Sequence, residues 1–317
     1  MSMEDALAGV LGAATVTNLK RLSGGASRDT FSFEADGRPL ILQRQRIAGM
    51  RDFRTESALL REARTAGVPV AEVLCTDVEA TEEQRGEIGA AFMVVEAIAG
   101  QTIARKILRD DEFATARPVL AGQCGDALAG IHSIPVDAVP GLDLADQVAQ
   151  YRTAHDGMGI PSPTFELAFR WLEANRPTSS RVDSGLATVV HGDFRLGNLI
   201  IDSTGLRAVI DWELGHLGDP MEDLGWLCTK AWRFGEKARV GGFGDVDDLV
   251  AAYEARSGRA VDRDALRWWE VLGTLKWGVM CNMQANAHLS GMVRSVELAM
   301  IGRRVAEQEH DLLVLLP

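Results

Sequence analysis

Strand-like alternation of apolar residues is concentrated before Gly100. Beyond it the apolar spacing is that of long amphipathic helices, apart from residues 187–212. A chain that changes period at one point should fold as two unequal parts, a small one built on a sheet and a larger helical one. In the first part, Phe31 and Phe33 alternate with polar neighbours, and Asp36-Gly37 is a hairpin turn between two strand-like runs. Residues 52–66 carry helix formers at helical spacing and are stopped by Gly67 and Pro69. VPVAEVLCTDV and AAFMVVEAI read as two more strands, and the charged stretch EATEEQRGEIG between them reads as a solvated hairpin loop. In the second part helices are expected around residues 112–132, 164–174, 247–256 and 264–310. The expected fold class is therefore α+β: an N-terminal lobe at 1–98 with an antiparallel sheet and one helix, and a mainly helical lobe at 99–317.

Composition removes several function classes. The 317 residues carry 33 basic and 45 acidic side chains, and a net charge of −12 repels a polyphosphate backbone, so nucleic acid is not an expected partner. Cys75, Cys124, Cys228 and Cys281 are far apart, with no CxxC pair and no His at ligand spacing, which argues against a zinc site and a disulfide framework. Glu4 and Asp5 stand where a secretory signal carries basic residues, and no apolar run approaches the ~18 residues that span a bilayer. A cytoplasmic protein without membrane insertion is expected. The sequence says nothing about its oligomeric state.

The stretch HGDFRLGNLIIDSTGLRAVIDWE, residues 191–213, carries the chemistry. Its short β-branched runs place Asp193, Asn198 and Asp211 on loops at strand ends, where side chains converge while the strands stay rigid. One carboxylate suited to taking a hydroxyl proton, with an Asn/Asp pair offering hard oxygens to Mg²⁺, is the inventory of phosphoryl transfer.

The order and spacing resemble those of the protein-kinase-like superfamily. HGDFRLGNLIID followed by IDWELGHLGDPMEDLGW is similar to the aminoglycoside phosphotransferase family of small-molecule kinases. The resemblance implies an ATP- and Mg²⁺-dependent kinase of a small hydroxylated acceptor. Asp193 would be the base, Arg195 a neutralising cation near the transferring group, and Asn198 and Asp211 the metal ligands. His191, Asp219 and Asp223 would support the loop. The Gly24-Gly25-Ala26-Ser27 turn matches the phosphate-covering loop, with Ser27 reaching a phosphate oxygen. Glu56 best matches the helix glutamate, with Glu62 as the alternative, and Glu96 and Ile98 lie at the hinge that reads adenine, the seam falling near residues 96–100.

One departure from the family pattern concerns the third strand. Gln43 stands where a Lys or Arg is usual, and Arg44 lies on the opposite pleat. Either a bulge turns Arg44 inward or Gln43 supplies an uncharged phosphate contact. Two acceptor groups fit the resemblance, a hydroxylated metabolite such as a hydroxy acid or hydroxyacyl thioester, or a cationic aminoglycoside. Two further readings are a nucleotide-binding scaffold with weakened catalysis, which rests on Gln43, and a metallohydrolase, which the scattered His residues disfavour. Replacing D-F-G by Asp211-Trp212-Glu213 predicts a loop that stays in place. The stripe of Trp268, Trp269, Trp277, Met280, Met283 and His288 reads as core; Trp277, Asn282 and Gln284 are guesses for the cleft.

Overall fold

The computed structural model describes residues 2–22, 28–45, 53–180 and 185–317. Its first element, helix α1 (Met3–Leu11), is closed by a capping box in which Ser2 and Asp5 satisfy each other's backbone N–H groups, and it ends at Gly12 in the left-handed region. Strands β1 (Val16–Arg21), β2 (Arg28–Ala35) and β3 (Arg38–Gln45) follow as an antiparallel ribbon. Asp36 and Gly37, both at positive φ, turn the second hairpin as their sequence predicts. The Asp36 carboxylate also accepts the Ala14 and Thr15 N–H groups, so the turn is tied to the start of β1.

Helix α2 (Phe53–Thr65) is the expected single helix. After it, β4 (Val73–Thr76) and β5 (Phe92–Glu96) complete a five-stranded sheet in the order β1-β2-β3-β5-β4. The connection between them is not the solvated loop expected from its charge. It contains α3 (Glu82–Ile88), started by a Thr81/Gln84 capping box and stopped by Gly89 in the left-handed region. Its polar residues face water while Ile88 is buried with Leu7, Phe33, Leu40, Leu42 and Phe92, so one face of the sheet is covered by α1 and α3. The other face, through Met93 and Val95, meets α2 and joins the larger core.

The remainder is mainly helical: α4 (Ala104–Arg109), α5 (Arg117–Ile131), α6 (Gln147–Met158) and α7 (Pro163–Ala174) precede a small β unit. In that unit β6 (Thr188–Val190) pairs with β9 (His216–Gly218), and β7 (Leu199–Asp202) pairs with β8 (Gly205–Val209). Helices α8 (Met221–Cys228), α9 (Val246–Ser257) and α10 (Arg263–Leu289) follow. The single long helical stretch expected at 264–310 is broken after Leu289, where Gly291 takes φ 79°, and resumes as α11 (Val296–Gly302) and α12 (Val305–Leu315). Among the described residues no helix is long and apolar enough to cross a membrane. The four cysteines are free and buried.

The segment after β5 makes a close backbone approach to β7. Gly100 has φ 149°, and a Cβ there would lie 2.5 Å from Ile200 Cγ2 and 2.9 Å from the Ile201 carbonyl oxygen. Gln101 and Ile201 exchange two backbone hydrogen bonds, which staple the segment after β5 onto β7. Only glycine permits this contact.

Candidate active site

The loop after β6 is held from behind by one buried carboxylate. Asp223, on α8 and without solvent exposure, accepts the His191 N–H at 2.7 Å, the Gly192 N–H at 2.9 Å and His132 Nε2 at 3.2 Å. Burial alone would raise its pKa, but His132 and the loop donors outweigh that and hold it below the usual carboxylate range. His191 is fully buried, accepts the Asp193 N–H at Nδ1 and faces the Ile210 carbonyl with Nε2; burial lowers its pKa. Gly192 has φ 78°, and a Cβ on it would strike the Leu214 carbonyl 2.5 Å away. The two loops that carry Asp193 and Asp211 are therefore in backbone contact.

Asp193 is surrounded by donors. Asn198 Nδ2 approaches Oδ2 at 2.6 Å, Arg195 Nε lies 3.0 and 3.2 Å from the two oxygens, and Trp226 Nε1 donates to Oδ1 at 2.7 Å. Trp226 was not a predicted site residue, although it ends the DPMEDLGW run. Arg195 also stacks on Trp232, its guanidinium carbon 4.6 Å from the ring centroid. Both side-chain hydrogen bonds of Asn198 use its amide nitrogen, which leaves Oδ1 as the atom that can face a cation.

Asp211 occupies the left-handed region at φ 69°, an uncommon conformation for a residue with a side chain. The next residue explains why it persists. Trp212 is buried, donates Nε1 to the Val209 carbonyl and packs 4.8 Å from His191, so the turn is anchored from within. Burial, then the negative charges of Glu213 and Asp193, push the Asp211 carboxyl up to about 7, with Arg28 opposing. Arg28 thus offsets only part of the burial and repulsion at this carboxyl.

The predicted phosphate-side residues do not all converge. Gly24, Gly25 and Ser27 lie outside the described residues, though strands β1 and β2 flank them as expected. The β2–β3–β5 register runs without a bulge past Gln43 and Arg44. Gln43, opposite Met93, shares the α2 face of the sheet, and Arg44 points to the other face, bound to Asp29 and the Ile88 carbonyl. The buried Glu56 of α2 makes a two-pronged pair with Arg28 of β2, at 2.7 and 2.5 Å. Sequence reasoning overlooked Arg28, which follows the glycine turn directly. At the hinge, Glu96 ends β5, its N–H donates to Glu72, and Ile98 packs against the larger core.

On the helical side a cavity of about 240 Å³ opens beside the loop, lined by Gln147, Tyr151, Glu213, His216 and Lys276 among others. The buried Lys276 Nζ lies 3.3 Å from the Gly192 carbonyl, 3.5 Å from Glu222 and 4.8 Å from the Trp226 ring centroid. Burial opposes its charge, but Tyr151 and Glu222 outweigh burial and raise its pKa. His216 is likewise raised because Glu222, 3.1 Å away, outweighs its burial. Lys276 and His216 thus share one carboxylate. Trp277 is buried and stacks on Trp232, while Asn282 is buried in α10.

The model of the phosphotransferase enzyme family matches residues 18–269. The chain belongs to that family. Its fold is mixed α/β, with an antiparallel sheet in the N-terminal part and a mostly helical remainder. Among curated relatives it is 29% identical over 271 residues to acyl-CoA dehydrogenase family member 10 of Mus musculus, covering 78% of this chain and 24% of that protein. It is 30% identical over 175 residues to streptomycin 3''-kinase of Streptomyces griseus, covering 50% of this chain and 60% of the relative. The chain spans about a quarter of the length of the first of these. Among solved structures, a candidate aminoglycoside phosphotransferase from Ralstonia eutropha superposes with a TM-score of 0.76 at 21% identity, over 98% of this chain and 97% of the other. An aminoglycoside phosphotransferase in ternary complex with ADP and hygromycin B gives a TM-score of 0.64 at 17% identity, over 99% and 98% of the two chains.

Proposed function

We propose that this phosphotransferase moves the terminal phosphoryl group of Mg²⁺-bound ATP to a hydroxyl of a small acceptor, with Asp193 as the base. The observation that carries the reading is the Asp193 carboxylate held by Asn198, Arg195 and Trp226, on a loop in backbone contact with the one that carries Asp211. Such a carboxylate is a fixed acceptor for the attacking hydroxyl, and fixed placement is most of what phosphoryl transfer asks of a protein. Asp193 takes the hydroxyl proton as the new P–O bond forms and the bond to ADP breaks. Arg195, close to both carboxylate oxygens, sits where charge develops.

The donor set suits Mg²⁺. Asp211 is a carboxylate short of positive charge, and Asn198 offers a second hard oxygen. Bound there, the ion would neutralise the phosphates. In the same proposal residues 1–98 bind the nucleotide, with Glu96 and Ile98 at the adenine edge, Gln43 on its α2 side and Gly24, Gly25 and Ser27 over the phosphates. Arg44, bound on the opposite face, takes no part. Residues 99–317 bind the acceptor.

For the acceptor, Lys276 and His216 sharing Glu222 favour an anionic hydroxylated metabolite over a polycationic aminoglycoside. The names of the longer relatives point to acyl thioesters as a class to include. The test is ADP release with hydroxy acids, hydroxyacyl thioesters and aminoglycosides, each with and without Mg²⁺. Asp193→Asn should lower kcat on the order of 10³-fold with the fold intact. Full activity in that variant would remove Asp193 from the reaction.

A further inference from the structure

Arg28 is buried at 7% exposure, and its position is unusual for a purely structural cation. Its NH1 and NH2 groups grip Glu56, its Nε lies 3.6 Å from Glu213, and its charge acts on Asp211. It thus joins α2 to the loop carrying Asp211. The other arginines of the sheet with described partners are engaged elsewhere: Arg21 and Arg44 both pair with Asp29 on the opposite face, and Arg38 pairs with Glu72. Directly paired residues of antiparallel strands project from the same face, and Arg28 pairs with Gln45 while Thr30 pairs with Gln43. Arg28 therefore stands on the same face as Gln43, one pleat repeat away.

Resting on the kinase reading above, we infer that Arg28 is the phosphate-binding cation of this chain, holding the polyphosphate of a nucleoside triphosphate from β2, the task left open by the uncharged Gln43 on β3. A guanidinium has five N–H donors in a planar fork. Glu56 occupies two, on the side facing α2, and Nε–H is turned toward Glu213; among the described residues the second N–H of NH1 and of NH2 has no hydrogen-bond partner, and these two are the donors for phosphate oxygens. The same geometry accounts for glutamine at position 43. A second cation on this pleat would compete with Arg28 for Glu56, and two buried charges would share one partner.

The test is calorimetric binding of ADP and of adenosine, with Mg²⁺, to the full chain. Arg28→Gln combined with Glu56→Gln removes both buried charges together and so avoids stranding either. Its ADP affinity should fall about ten- to hundredfold while adenosine affinity changes less than threefold, the range expected for hydrogen bonds to a charged group. Arg28→Gln combined with Gln43→Lys should recover most of the ADP affinity by returning the cation to β3. A purely structural Arg28 would lower both ligands together or neither, and either result overturns the assignment. If the doubly neutral variant does not fold, Arg28→Lys decides, since it keeps the charge and loses the fork. Its ADP-to-adenosine affinity ratio should fall at least threefold, and an unchanged ratio overturns the assignment. Failure of the unaltered protein to bind ADP would refute the kinase reading itself, separately from Arg28.

Discussion

Asp223→Asn measures how far the active loop depends on one carboxylate behind it. In the native chain its two oxygens accept two backbone N–H groups and one imidazole, all buried. Asparagine keeps one acceptor oxygen and turns an NH₂ toward a former donor. One charge-assisted hydrogen bond is lost, worth about 1.5–3 kcal/mol, and the facing N–H is left without a partner. Asp223→Ala strands both N–H groups and should cost about 3–5 kcal/mol, the range for breaking a buried charged network. Melting and urea titration read the stability. Turnover should fall more than tenfold in Asp223→Asn while ADP affinity stays within about threefold, because the carboxylate fixes the loop that positions Asp193 and lies behind it. An Asp223→Asn protein that melts and turns over like the native one would refute the reasoning.

Three further outcomes are expected. Trp226→Phe keeps the ring and removes the indole N–H from Asp193, so kcat should drop about tenfold or more with little change in melting temperature. The raised pKa of His216 stabilises the fold fully below its unfolded value of about 6.5, and that stability is lost as pH rises through the higher folded value. The lowered pKa of Glu222 adds stability present above about 4.5 and lost below it. Melting temperature should therefore decline above about pH 6.5, and His216→Gln should flatten that decline. Thr81→Ala removes the cap of α3 and should cost about 1 kcal/mol in urea titrations without changing turnover.

What could be read from the sequence was what local chemistry specifies. The Asp36-Gly37 turn, the α2 helix and the loop positions of Asp193, Asn198 and Asp211 each depend on residues within a few positions of one another. Helix α3 was missed because its charge content outweighed a Thr81/Gln84 capping box that was present to be read. Strand β9 is three residues long and is held by distant partners, β6 on one side and the segment at Asp143 and Leu144 on the other. Arg28 and Lys276 were missed for another reason. Their roles come from partners 28 and 84 positions away, Glu56 and Gly192, which no local pattern connects. The same limit applies to Gln43: its missing charge was legible, while the cation on the neighbouring strand was not.

The indole that touches Asp193 belongs to a chain of rings. Trp226 lies 5.1 Å from Trp232, which lies 4.9 Å from Trp277, and Arg195 covers Trp232. Rings this close exchange excitation energy, so one ring of a coupled trio is in hydrogen-bond contact with the carboxylate. A change in what surrounds the Asp193 carboxylate is therefore expected to register in native tryptophan emission, without label or coupled assay.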